Sequence, residues 1–130
     1  MKIKAVIETA IYVDDLDAAE SFYRTVLGLL VISKEPSHHV FFQVGEASVL
    51  LAFLAESTLM GDQLPPHGAT GPGHFALGIG AESFDAWRKH LESHGVSIEK
   101  EVEWPRGGKS LYFRDPAGNL VELVTPGLWG

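Results

Sequence analysis

Residues 8–29 read ETAIYVDDLDAAESFYRTVLGL, and residues 74–95 read HFALGIGAESFDAWRKHLESHG. In the first stretch TAIYV is β-branched and apolar, and a helix cap candidate follows at Asp14 or Asp15. Leu16, Ala19, Phe22, Tyr23, Val26 and Leu27 then recur at helical spacing until Gly28 stops the run. The second stretch repeats this order, a short strand and then a helix with Phe84, Trp87 and Leu91 on one face and Gly95 as its stop. Glu8 and His74 are 66 residues apart, Gly28 and Gly95 are 67 apart, and a near-constant offset is the mark of an internal repeat.

The segments after the two helices repeat as well. LLVIS, HVFFQV and ASVLLAFL read as three strands separated by EPSH and GE turns, and VSIEKEV, SLYFR and LVELV supply three more after Gly95. The expected architecture is α+β, two tandem βαβββ modules forming a cupped mixed sheet, each helix covering one face. The first module is expected over about residues 4–55, a Gly/Pro-rich linker without periodicity over 56–72, and the second module over 73–126.

A chain of 130 residues, 45% of them hydrophobic, is expected to make one domain around one core. Seventeen acidic against ten basic residues give a formal charge of -7. With no Lys/Arg cluster, this argues against a nucleic-acid partner. The absence of cysteine excludes disulfides, thiolate nucleophiles and Cys-based zinc sites. No apolar run approaches a membrane span, and Glu8 breaks the stretch after Lys2 and Lys4. A soluble cytoplasmic protein with no membrane partner is the expectation.

Two strands carry a carboxylate among apolar residues, Glu8 in KAVIETAIYV and Glu122 in RDPAGNLVELV. A buried carboxylate without a partner costs several kcal/mol or takes up a proton, so each calls for a cation, a hydrogen-bonding shell or water. Strand alternation places Phe75, Leu77 and Ile79 on one side and His74, Ala76 and Gly78 on the other; it sets Glu8, Ala10 and Tyr12 against Thr9, Ile11 and Val13, and Glu122 against Val121 and Leu123. Glu8, His74 and Glu122 can therefore face one hollow. Each also has a plain reading: His74 as a satisfied core histidine, and a carboxylate paired with Arg114 or Arg24.

ETAIYVDDLDAAESFYRTVLGL, GHFALGIG and YFRDPAGNLVEL resemble the signature segments of the vicinal oxygen chelate superfamily, which includes glyoxalases, extradiol dioxygenases, fosfomycin-modifying enzymes and bleomycin-binding proteins. The resemblance covers essentially the whole chain. It implies paired βαβββ modules holding a divalent metal in a cupped sheet. Carried over by position, it makes Glu8 (where His is usual), His74 and Glu122 the metal ligands, and Glu8 or Glu122 a catalytic base. The fourth ligand of glyoxalase I falls on Leu50 or Leu51, which cannot ligate. One imidazole and two carboxylates suit Mn, Fe, Zn or Ni, with positions left for water or substrate oxygens.

Tyr12, Tyr112 and Arg114 are candidate substrate-binding residues, with ordinary packing and a surface ion pair as the alternative. His38, His39 and His67 read as solvated, Trp104 and Trp129 as caps of the hollow or interface residues, and Pro116 and Gly118 as a hairpin turn. PRGGKS lacks the first glycine of a P-loop. The resemblance implies a metal-dependent lyase, isomerase or dioxygenase acting on a small molecule with neighbouring oxygens, in a homodimer. The alternative is a metal-free module that sequesters an antibiotic-like small molecule.

Overall fold

The computed structural model describes residues 1–61 and 63–129. The chain forms two compact units, residues 1–71 and 72–130.

The first unit contains β1 (Glu8–Val13), α1 (Leu16–Thr25), β2 (Leu30–Glu35), β3 (His39–Val44), β4 (Ser48–Leu54) and the short α2 (Ala55–Leu59). Its sheet runs β1-β4-β3-β2, with β1 parallel to β4 and the other pairs antiparallel. Asp15 caps α1 by accepting the Ala18 amide at 3.0 Å. The helix ends where Gly28 takes φ 70°, and the Gly28 and Leu29 amides return to the carbonyls of Arg24 and Tyr23. Leu16, Ala19 and Tyr23 of α1 are buried, as are Val40 and Phe42 of β3 and Leu50 and Ala52 of β4. Tyr23 and Phe42 meet at 5.3 Å between ring centroids. Full burial of a Phe42-sized side chain stabilises by roughly 1.5–3 kcal/mol.

The second unit contains β5 (His74–Gly78), a 3-10 turn (Ala81–Ser83), α3 (Phe84–Ser93), β6 (Lys100–Glu103), β7 (Lys109–Arg114) and β8 (Leu120–Val124). The strand order β5-β8-β7-β6 and the strand directions repeat those of the first unit. Phe75, Phe84, Leu91, Leu111, Phe113, Val121 and Leu123 form the buried apolar side. The expected α+β architecture of two βαβββ modules is thus observed, as two four-stranded mixed sheets.

Element ends differ from expectation in three places. Residues 4–7 precede β1, whose pairing with β4 begins at Glu8 opposite Val49. Sheet pairing of the sixth strand starts at Lys100, because the Val96 amide is used to close α3 on the Leu91 carbonyl at 3.0 Å. The segment expected as linker opens with α2, and its loop is closed by the Gly61 and His67 amides, which both reach the Thr58 carbonyl.

Candidate metal site in the second sheet

β5 and β8 run side by side with His74 opposite Leu120 and Ala76 opposite Glu122. On one face of this ladder the His74 Nε2 stands 3.3 Å from the Glu122 Oε1. His74 Nδ1 lies 3.0 Å from the Leu120 carbonyl, which can only accept, so Nδ1 carries a proton and Nε2 is the nitrogen turned to the carboxylate. A ring nitrogen tied to a backbone carbonyl while the other faces outward is the arrangement that orients a metal-ligating histidine.

Glu122 is 4% exposed, and its other oxygen, Oε2, accepts the Ser110 hydroxyl at 2.5 Å. Ser110 in turn accepts the indole N–H of Trp104 at 2.8 Å. Tyr112, directly opposite Glu122 in the β7–β8 register, stacks beside His74 with ring centroids 6.1 Å apart. Burial, then the charge of Glu122 and a hydrogen bond to it, raise the Tyr112 phenol above its ordinary range. The carboxylate therefore has a built shell of donors, which answers why it is tolerated in an apolar strand.

Above the pair lies a hollow of about 600 Å³ lined by His74, Tyr112, Glu122, Trp104, Arg106 and Trp129, with Pro105 and Leu128. The C-terminal tail is brought to it by backbone contact at two glycines. A Cβ on Gly108 would lie 2.8 Å from the Gly127 carbonyl carbon, and one on Gly127 would lie 2.7 Å from the Gly108 nitrogen. Only glycine fits either position. Arg106 fastens the tail further by donating to the Trp129 carbonyl at 3.1 Å.

The remaining expected site residues lie elsewhere. Glu8 opens β1 in the first unit and is exposed. Tyr12 is in hydrogen-bond contact with His67 Nδ1 at 2.7 Å and stacks on Phe53. Arg114 donates to both oxygens of Glu99 at 3.2 and 3.0 Å and to the Gly118 carbonyl. Arg24 pairs with Glu20. Glu122 is met by His74, Ser110 and Tyr112 instead of by either arginine. His38, His39 and His67, read from sequence as solvated, ring Phe53 at centroid distances of 5.8, 6.3 and 4.8 Å, with His38 and His39 half-buried and His67 exposed as expected. Ser110 was missed, although it precedes Tyr112 by two and so shares its face.

The first unit provides an internal comparison. The register places Phe41 opposite Leu51 and His39 opposite Phe53, where the second unit has Tyr112 opposite Glu122 and Ser110 opposite Val124. Leu51 is therefore the counterpart of Glu122, and Glu8 the counterpart of His74. Among the described residues no group of three His, Asp or Glu side chains stands ready to hold a metal ion.

His74 and Glu122 fit two donors of such an ion. With metal–ligand distances of about 2.0–2.2 Å, two neighbouring donors lie roughly 3–3.5 Å apart, and the observed separation is 3.3 Å. The remaining features are a satisfied carboxylate, a fixed imidazole and an open hollow.

A repeated βαβββ sheet with this pair on its face defines a class, and the chain belongs to it: residues 5–123 match the Glyoxalase/Bleomycin resistance protein/Dioxygenase superfamily. Among solved structures it is similar to the lactoylglutathione lyase from Agrobacterium tumefaciens, at 42% identity, with 100% of this chain and 99% of that one covered and a TM-score of 0.95. Among characterised proteins it is 29% identical over 127 residues to the metallothiol transferase FosB of Staphylococcus epidermidis, covering 96% of this chain and 84% of that protein. It is 28% identical over 111 residues to the glutathione transferase FosA of Serratia marcescens, covering 85% and 73%. The family and fold read from the sequence are borne out, and the functional reading is borne out at the level of that superfamily. No helix among the described residues is long and apolar enough to cross a membrane.

Proposed function

We propose that the chain is a divalent-metal enzyme that acts on a small molecule bearing two neighbouring oxygens, with His74 and Glu122 as ligands and Glu8 as the third. The observation that carries this is the His74–Glu122 pair, held at 3.3 Å with the imidazole tautomer fixed by Leu120. A bound Mn, Fe, Zn or Ni ion would supply Lewis acidity toward a substrate oxygen. The chain's own residues would do the rest. Trp104, Tyr112 and Trp129 would enclose the substrate's apolar part, Arg106 would meet an anionic group, and Glu122 or Glu8 would take up the proton.

The name of the similar lyase makes a lyase reaction on a glutathione-derived substrate the first to assay. The metallothiol and glutathione transferases make a thiol transfer the second. Leu51 at the position matching Glu122 leaves a set of three protein ligands, with more of the metal open to substrate. Two donors in one unit are fewer than a metal takes, so Glu8 is supplied by the chain itself or by a second copy in a homodimer. Isothermal titration of metal-stripped protein with Mn, Zn, Ni and Fe(II), beside Glu122→Gln, tests the reading. One divalent site per chain that weakens at least tenfold in the variant supports it; no site tighter than about millimolar overturns it.

The apolar walls of the hollow favour a second reading, metal-free sequestration of an aromatic small molecule. It predicts ligand binding that is indifferent to chelator.

A further inference from the structure

The two oxygens of Glu122 have different surroundings. Oε1 faces the His74 Nε2, while Oε2 accepts the Ser110 hydroxyl at 2.5 Å. The direction of that second contact is settled by the third residue. An indole N–H can only donate, so Ser110 Oγ accepts from Trp104 and donates to Glu122, while Tyr112 hydrogen-bonds the same carboxylate and the Ser110 hydroxyl. Ser110 is fully buried, so water does not compete for the hydroxyl.

The sheet register explains why these residues meet. Tyr112 is opposite Glu122 and Ser110 opposite Val124, which puts Ser110 diagonal to Glu122 on one face. The first unit carries the control within the same chain. There Leu51 takes the place of Glu122, and His39 takes the place of Ser110. The hydroxyl is present where the carboxylate is and absent where it is not.

We propose that Trp104 and Ser110 are positioning residues that make Glu122 a ligand through one oxygen only. With Oε2 held by the hydroxyl, the carboxylate reaches a metal through Oε1. The coordination position that a two-oxygen carboxylate would fill then stays open for the second oxygen of the substrate. This rests on the metal reading above. It adds a reason why a site with so few protein ligands would favour a substrate that binds through two oxygens.

The test uses cobalt(II) in the full-length protein, with acetohydroxamate as a two-oxygen probe and azide as a one-atom probe. In Ser110→Ala the carboxylate keeps the Tyr112 hydrogen bond but loses the hydroxyl that holds Oε2, and is able to turn and bind through both oxygens. The visible cobalt bands are then expected to weaken as the coordination number rises. Acetohydroxamate affinity is expected to fall about tenfold relative to azide, the scale of losing a group that orients a ligand. Ser110→Thr keeps the hydroxyl and restores both readouts. Trp104→Phe keeps the ring but leaves the hydroxyl unoriented, and shifts both in the same direction by less. Should Ser110→Ala fail to fold, Ser110→Gly, which also lacks the hydroxyl and adds no metal ligand, carries the same comparison. A wild-type spectrum and probe ratio in Ser110→Ala overturns the assignment while leaving the metal site standing. Wild-type protein that takes up no cobalt overturns the metal reading, and this one with it.

Discussion

Asn119 Oδ1 accepts the backbone amide of Gly73 at 2.8 Å, so the turn ahead of β8 grips the residue that precedes His74. The turn is itself held by Asp115, 4% exposed, whose Oδ1 accepts the amides of Ala117 and Asn119 at 3.0 and 2.8 Å. Asp115 Oδ2 accepts the Asn119 side-chain amide at 3.1 Å. The DPAGN stretch thus sets the height of β5 against β8, and with it the spacing of His74 and Glu122.

Removing that grip is expected to act on both stability and the site. Asn119→Ala leaves the Gly73 amide without its acceptor and is expected to cost about 1–3 kcal/mol. Urea unfolding gives the cost. Metal titration of the folded variant should also show weaker binding, because His74 loses its fixed neighbour. Stability loss with unchanged metal affinity would mean that the turn does not place the histidine.

The fold was legible because the repeat states it twice. The offset from Glu8 to His74 and from Gly28 to Gly95, together with the strand alternation, fixes the strand-helix order and the face that carries the carboxylates. The alternation set His74 and Glu122 toward one face, but it did not give their contact or the Ser110 and Trp104 shell. A hydroxyl's direction depends on which partners the register brings diagonal to it, and sequence spacing within one strand does not encode that. The three histidines of the first unit escape a sequence reading for a related reason. His38, His39 and His67 come from two separated stretches and meet at Phe53 only after β3, β4 and the loop behind α2 are in place.

Those histidines carry a pH prediction. His39 stacks on Phe41 at 3.9 Å between centroids and contacts His38 through Nδ1 at 2.8 Å. Burial, and after it the neighbouring His38, lower the His39 imidazole's affinity for a proton, with Glu35 acting the other way. A histidine whose folded pKa is depressed takes up its proton more readily when unfolded. Its contribution is fully present above the unfolded value, about 6.5, and is lost as pH falls through the folded value. Melting temperature should therefore decline as pH drops from 7 toward 5, and His39→Gln should flatten part of that decline. Parallel slopes for the two proteins would show that His39 is not the group responsible.

Glu122→Gln separates packing from ligation. The amide oxygen can still accept from Ser110, so the metal-free protein is expected to melt close to wild type, within about 1 kcal/mol. The charge that a divalent ion needs is gone. Metal-induced stabilisation should be nearly abolished, read as melts with and without Mn or Zn. A variant that still gains wild-type stability from metal would remove Glu122 from the ligand set.

Glu8→Gln decides between a metal enzyme and a metal-free binder. Glu8 is exposed at the start of β1, so the substitution should leave the metal-free protein's melt where it was. A ligand that binds only the folded state stabilises it by RT ln(1 + [L]/Kd), so a tenfold weaker site at saturating metal loses about 1.4 kcal/mol of that gain. For a chain of this size that is roughly 5 °C in melting temperature. If Glu8 is the third ligand, chelator should lower the wild-type melt, the variant should respond less to added Mn or Zn, and the two effects should overlap instead of adding. If the chain binds its small molecule without metal, neither chelator nor Glu8→Gln should move the melt. A wild-type protein unmoved by chelator and by added metal, with a variant of equal stability, would replace the enzyme reading with sequestration. A wild type that responds strongly to metal, with a variant that responds just as strongly, would keep the metal and send the search for its third ligand away from β1.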